Sequence, residues 1–455
     1  MSRRRRGSRG VTLLAAECRV RAPGRPGRQG GPYPRTVTTA PTTAPAGVPR
    51  DRRVTARTVE VVGVAADAGL LEQLPAPGAL AWVSGGEGLV GWGEAARLEV
   101  AGPDRFATAL AWWARTARSF AVQDEVGLPG TGPVAFGSFA FDPRPGRSVL
   151  VVPRVVVGRR DGHTWLTTIG GAPALNSPQP VRPPVGIRYA EGSRTVTDWQ
   201  GAVAQAVDRI GQGEFDKVVL ARDLVAAAEE AIDDRWLLHQ LAERYDSCFT
   251  FAVDGLVGAT PELLVRRTGN RVDSRVLAGT VRRRGDKAAD ELLAQGLLAS
   301  AKDLEEHAFA VRSVTEVLAR HCATLTVPAD AHVLSLANVQ HLATDITGRL
   351  ADDAGALALA GQLHPTAAVC GTPTEAARTA IRELEGMDRA RYAGPVGWVD
   401  ARGDGEWGIA LRCAEVVGRT ARLFAGCGIV AGSNPDAELA ESQAKLVPIR
   451  DALGS

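Results

Sequence analysis

The chain lacks the marks of several large protein classes. Its six cysteines (Cys18, Cys248, Cys322, Cys370, Cys413 and Cys427) stand apart, with no C-x-x-C pair among them. That spacing excludes a zinc ribbon and a small disulfide scaffold, and leaves reduced thiols as the default. No run of 18 apolar residues is present, so no membrane-spanning helix is expected. The opening MSRRRRGSRGVTLLAAECRV begins basic, but its apolar patch VTLLAA is too short for a secretory signal and Arg19 follows. A cytoplasmic protein without membrane contact is the expectation. Excess charge of one sign is also missing once the chain is divided. Positions 1–58 hold fourteen Arg and two acidic residues, a segment charge of +12, so a total of +2 leaves −10 for the remainder. The basic balance belongs to the first segment and gives no reason to expect a nucleic-acid partner.

What is present is a chain of 455 residues, 45% hydrophobic and 23% charged, enough for a large core and longer than one average domain. Residues 1–58, rich in Arg, Pro, Gly and Thr, read as a disordered tail. Residues 59–195 read as a β-rich region packed on a catalytic part, 196–455. In the first region ALAWVSGGEGLVGWG predicts a hairpin around Gly85-Gly86, three further stretches predict strands, and PDRFATALAWWARTARSF predicts a helix. The Pro-rich connection 176–186 is either a domain boundary or a long surface loop. In the second region TVTDWQGAVAQAVDRIGQGE reads as a helix capped by Thr197 or Asp198, and EFDKVVLARDL as a buried strand. The stretch from Ala289 to Cys322 reads as one long helix with an apolar stripe through Leu293, Leu297, Leu304, Ala308, Val311, Val314 and Leu318. The closing helix is capped by Asn434, starts on Pro435, and should kink at Pro448.

Several groups stand out against this frame. Lys217 opens a strand that needs no lysine, and Arg222 further along reads as a structural arginine paired inside the sheet. Lys302 and Glu306, four apart, share a helix face away from Leu304, which by itself suggests a solvated ion pair. Glu438, Glu441 and Lys445 share one face of the last helix, and carboxylates near a helix start suit its dipole. The loop FAGCGIVAGSNP sets Gly426, Gly428 and Gly432 between a strand and that helix. It is neither a Walker loop nor a dinucleotide fingerprint, but its backbone N–H groups suit an organic carboxylate. Arg412, placed in the preceding strand, offers a bidentate guanidinium. Glu262 reads as a solvated residue between a turn and an edge strand. Gly279-Thr280 reads as the close of a strand, and His341, among apolar residues, as a structural histidine.

In order along the chain, FDKVVLAR, ATPELLVRR, LAGTVRRRGD, AKDLEEHAFAV, VQHLATDITG, LHPTAAVCGTP, RYAGPVGWVD, GEWGIALRCAEV and LFAGCGIVAGSNPDAELAESQAKL resemble the chorismate-utilising enzymes. These include the isochorismate, salicylate, anthranilate and aminodeoxychorismate synthases. The match covers about 196–453, and GPVAFGSFAFDP extends it upstream. The resemblance implies an α+β fold of two packed, mostly antiparallel sheets flanked by helices, with the active site in a cleft. It implies chorismate as substrate and Mg²⁺ held by Glu306 and Glu441, with Glu438 acting through water. Gly279, Thr280, His341, Ala368, Tyr392, Arg412, Gly428 and Lys445 would bind or surround the substrate.

Within that family Lys217 separates the chemistries. Adding water at ring carbon C2 and expelling the C4 hydroxyl needs a general base and a general acid. Lys217 suits the base in its neutral form, which burial favours, and Glu262 suits the acid if its pKa is raised. Relatives that use ammonia characteristically lack this lysine. Isochorismate formation, for menaquinone or catechol siderophores, is therefore expected, in a monomer with no glutaminase subunit. Salicylate synthase is the first alternative; anthranilate or aminodeoxychorismate synthase, with a glutaminase partner, is the second. Cys370, where relatives commonly carry a small hydroxyl residue, and Pro448 depart from the family pattern, and no tryptophan-binding LLES element is evident.

Overall fold

Segments such as FTFAV, LVGAT and PVGWVD are apolar at nearly every position, as strands covered on both faces must be, and all three are buried throughout. The computed structural model describes residues 53–62, 69–171 and 179–454. One sheet of thirteen strands runs through Arg188–Glu191, Lys217–Ala227, Thr420–Ile429, Cys413–Val417, Leu256–Thr260, Phe249–Val253, Leu80–Ser84, Glu87–Trp92, Val155–Arg160, His163–Ile169, Val54–Glu60 and Phe120–Asp124, with Gly371–Thr372 beside the second of these. The other, of ten, runs through Cys322–Thr326, Val339–Leu350, Arg271–Arg282, Leu263–Thr268, Gly405–Ile409, Pro395–Asp400, Val134–Ser138, Ser148–Val152 and Ala96–Val100, with His332–Ser335 beside Val339–Leu350. Among the described residues every pairing is antiparallel except that of Val54–Glu60 with Phe120–Asp124. Helices flank the sheets, so the fold is α+β as expected. No helix among the described residues is long and apolar enough to cross a membrane.

The hairpin at Gly85 and Gly86 forms as the sequence predicts, with both residues at positive φ (57° and 81°), the conformation that a tight two-residue hairpin turn requires. The boundary at 195–196 does not separate two bodies. Trp82 of the first region pairs with Phe251 of the second, and Phe136 with Trp398, so both sheets are built from both regions. The described part of the Pro-rich connection is a surface segment: Arg235 donates to the Gln179 carbonyl at 2.9 Å, and Glu229 N to the Val185 carbonyl at 2.9 Å. The first strand begins at Val54, inside the segment expected as tail; residues 1–52 lie outside the described residues.

Two helix expectations change. The cap of Val196–Gly211 is Thr195, whose hydroxyl accepts from Asp198 N at 3.1 Å. The single long helix is two, Lys287–Ala299 and Ala301–Leu318, parted at Ser300, which is extended (ψ 110°) and caps the second by accepting from Asp303 N. The new axis turns His307, Ala310, Val314 and Leu318 inward and leaves Leu304 39% exposed, so the expected stripe is buried at Leu297, Val314 and Leu318 but fails at Leu304 and Ala308. Pro448 lies within a helix assigned without interruption from Pro435 to Ala452.

Candidate active site

The site grows from the strand Lys217–Ala227. Side chains alternate between strand faces, so Lys217 and Val219 share one. On the neighbouring strand Val219 faces Gly428 and Ala221 faces Gly426. These glycines leave that face bare. A Cβ at Gly428 would stand 2.1 Å from Glu306 Oε1 and 3.2 Å from Lys217 Cε, and one at Gly426 3.1 Å from the Tyr392 hydroxyl. Gly426 and Gly428 therefore lie within a strand, not in the loop the sequence suggested; only Gly432 is in the turn. The register keeps part of the anion-binding idea. Val219 N points to the outer edge, donating to the Cys370 carbonyl at 2.8 Å. Val219 and Gly428 thus form a non-hydrogen-bonded pair, whose N–H and C=O groups point away from one another. The strand Cys413–Val417, which would cover Gly428 on the far side, pairs only as far as Leu423.

Lys217 is inaccessible to solvent, and its ammonium lies 3.1 Å from Glu306 Oε1. The contact is not aligned as a hydrogen bond, and the buried nitrogen has no acceptor among the described residues. Glu306 is aimed there by the helix break at Ser300, which overturns the solvated face expected for it. Lys302 reaches the last helix instead of Glu306, with its ammonium 3.3 Å from Glu438 Oε1.

On the last helix Asn434 caps as expected, accepting from Asp436 N at 3.0 Å and Ala437 N at 3.1 Å. This start sets Glu438, Glu441 and Lys445 in a row along the helix. Lys445 donates to Glu441 Oε1 at 2.5 Å and to the Gly426 carbonyl at 3.0 Å. Burial, with Glu441 alongside, raises the Glu438 carboxyl above the usual carboxylate range. The Cys427 sulfur and carboxylate oxygens of Glu438 and Glu441 lie within 4.8 Å of one another, but burial pushes the thiol well up and keeps it protonated. Three carboxylates, Glu306, Glu438 and Glu441, each lean on a lysine: Lys217, Lys302 and Lys445 respectively. A hard divalent cation with oxygen ligands fits this donor set.

Opposite stands Glu262, in the link between Leu256–Thr260 and Leu263–Thr268. It is 4% exposed, and burial pushes its carboxyl up to about 8, opposed only in part by Arg412 and Lys217. The solvated edge position expected for it does not exist, because Leu263–Thr268 is internal to its sheet. Arg412 sits in the turn between Gly405–Ile409 and Cys413–Val417 with φ 49°, rather than in a strand. It donates to His341 Nε2 at 3.0 Å. His341 Nδ1 must then carry the proton, and it faces the Gly279 carbonyl at 3.3 Å and the Thr280 hydroxyl at 3.0 Å. Burial, with Arg412 and Lys445 nearby, holds this histidine well below its ordinary range, so it is neutral. Gly279, at φ 75°, forms a bulge within Arg271–Arg282 and does not close the strand. Tyr392 stacks on Phe424 at 5.2 Å, and burial raises its hydroxyl, which stays protonated.

Together these residues line a small cavity of about 50 Å³, part of it open to solvent. All eight residues expected around the substrate line it, as do Glu262 and Glu306. Lys217, Glu438 and Glu441 stand behind the lining, reaching it through Glu306 and Lys445. Arg222 is on the other strand face, and its buried Nε has no acceptor among the described residues; Glu191 and Asp223 of the same sheet attract it, but no ion pair with it forms among the described residues. The sequence reading missed Val219, although strand alternation from Lys217 pointed to it, and it named Gly426 only for its backbone. Leu277 and Leu411 also line the cavity, brought there by long-range pairing that left no local signal.

The family model described as chorismate binding enzyme matches residues 82–179 and 174–454. Isochorismate synthase DhbC of Bacillus subtilis is 44% identical over 269 residues, 56% of this chain and 68% of that protein. Isochorismate synthase EntC of Escherichia coli is 36% identical over 329 residues, 71% and 81% of the two chains. The solved structure of MenF, the menaquinone-specific isochorismate synthase of Escherichia coli, is similar with a TM-score of 0.71 at 26% identity, covering 88% of this chain and 96% of that one.

Proposed function

The chain belongs to the chorismate-binding enzymes, and from that premise we propose that it is a magnesium-dependent isochorismate synthase, supplying menaquinone or catechol siderophore synthesis. One observation carries the reading. A buried lysine 3.1 Å from the lining residue Glu306, and a lining carboxyl that keeps its proton up to about pH 8, offer the acid–base pair that exchange of a ring hydroxyl for water needs.

Chorismate carries two carboxylates, and the cavity offers Arg412, Lys445 and the free backbone edge at Gly428 to bind them. Neutral His341 orients Arg412 without adding charge. Lys217, in its unprotonated form, takes a proton from water as the oxygen bonds to C2, and the ring double bonds shift. Glu262 gives its proton to the C4 hydroxyl, which leaves as water, so one water enters and one departs. Glu306, Glu441 and Glu438 are the residues that would hold Mg²⁺, which when bound supplies positive charge against a substrate carboxylate. Because the nucleophile is water, no glutaminase subunit is required.

Purified protein with chorismate and Mg²⁺ is expected to give isochorismate as sole product, and none under chelation. Salicylate with pyruvate, or anthranilate on adding ammonia, would displace this reading; activity surviving chelation would remove the metal from it.

A further inference from the structure

The strand Lys217–Ala227 has Thr420–Ile429 along one side. On the other side, among the described residues, it has two short partners, Gly371–Thr372 opposite Lys217 and Val218, and Arg188–Glu191 opposite Leu224 to Ala227. Among the described residues no strand lies on that side of Val219 to Ala221, yet the outward groups of Val219 and Ala221 are satisfied. Val219 N donates to the Cys370 carbonyl at 2.8 Å, and Ala221 N to Glu385 Oε1 at 2.7 Å. The Val219 carbonyl accepts from Arg389 at 2.7 Å, and the Ala221 carbonyl from Trp199 Nε1 at 3.1 Å. Side chains thus make most of the hydrogen bonds that a strand would otherwise supply.

Arg389 does one thing a strand could not. Its second terminal nitrogen donates to the Val369 carbonyl at 2.8 Å, while Nε is held by Glu385 Oε2 at 2.9 Å. Val219 and Val369 both line the cavity, on two adjacent segments that the bond from Val219 N to the Cys370 carbonyl also joins. Val219 is two residues from Lys217, and Val369 adjoins Ala368. One planar fork therefore ties together two carbonyls that would otherwise repel each other, and Glu385 neutralises the cation that does it. Both side chains are almost wholly buried.

We propose that the Glu385–Arg389 pair is a positioning device: it sets the separation of the segment that carries Lys217 from the segment that carries Ala368, and touches no substrate. The inference rests on the reading of Lys217 as the base. The ladder with Thr420–Ile429 holds the fold without this tie, so what its loss changes is the placement of the base, and a misplacement of about 1 Å costs about 10²-fold in rate.

Two variants test it. Arg389→Lys keeps the charge beside Glu385 but loses the fork. Glu385→Gln with Arg389→Met removes both charges and leaves neither orphaned. Turnover is measured per folded chain, the folded fraction taken from circular dichroism of the same sample. A fall of about 10- to 100-fold in kcat with KM within about threefold is expected in each. Should the double variant not fold, Arg389→Lys decides alone. Wild-type kcat per folded chain in Arg389→Lys, or an effect confined to melting temperature, overturns the proposal. A wild-type protein that forms no isochorismate counts instead against the functional reading.

Discussion

Lys217 is a lysine where a cation would be costly. Its carrier strand is apolar, no solvent reaches it, and among the described residues its one ion-pair partner is Glu306 at 3.1 Å. Burying an ion pair rarely stabilises a fold relative to apolar packing, so chemistry is the better reason for its presence. Lys217→Ala is expected to abolish turnover while chorismate binding, read by calorimetry, survives; retained turnover would eliminate Lys217 as the base. Glu262 makes a second case. Its carboxyl is raised from an ordinary 4.5 to about 8. Below 4.5 the acid is neutral in folded and unfolded chains alike, and its contribution to stability is fully present. As pH rises from there the unfolded chain releases a proton that the folded chain keeps, and the contribution is lost by about pH 8. Glutamine imitates the protonated acid. Glu262→Gln is therefore expected to melt above wild type at pH 8.5, with the gap closing toward pH 5, and to be inactive; wild-type kcat/KM should fall along a limb near pH 8. A Glu262→Gln protein that melts below wild type at pH 8.5 would refute the buried neutral acid. At this scale the identities of the site residues were legible, because motif order carried them. Their protonation was not: Glu262 read as solvated, since its burial comes from strands far off in sequence.

At the scale of elements, two helix starts aim the carboxylates. Ser300 turns Glu306 inward, and Asn434 sets the row of Glu438, Glu441 and Lys445. The second was plain in the sequence, as Asn-Pro ahead of acidic residues is a strong start signal. The first was hidden, because Ser300 interrupts an apolar periodicity that continues on both sides; the stripe was counted across a change of axis and put Leu304 inside. Asn434→Ala is expected to cost about 1 kcal/mol of stability in urea unfolding and to raise the Mg²⁺ concentration for half-maximal activity severalfold. An unchanged Mg²⁺ titration would mean that the helix start does not hold the metal ligands. The glycines at 426 and 428 were noticed for their backbone, but their service is steric: they clear a strand face for Glu306, Lys217 and Tyr392.

At the scale of the whole molecule, both sheets take strands from both halves of the chain. Strand content and the antiparallel class were legible from composition and turns. Pairing order was not, because the partners of Phe249–Val253 and Pro395–Asp400 lie more than a hundred residues upstream. Residues 196–455 expressed alone would bare those two edges and strip Glu406 of its Trp82 and Arg160 partners, leaving a buried charge exposed to misfolding. That fragment is expected to aggregate or to melt without cooperativity; a soluble, active fragment would show that the first half is an accessory. What the assembled molecule is for turns on the origin of one oxygen atom. The most direct measurement is mass spectrometry of isochorismate formed from chorismate and Mg²⁺ in ¹⁸O-labelled water. One labelled oxygen at C2 is expected if Lys217 activates solvent and Glu262 expels the C4 hydroxyl; unlabelled isochorismate would contradict it.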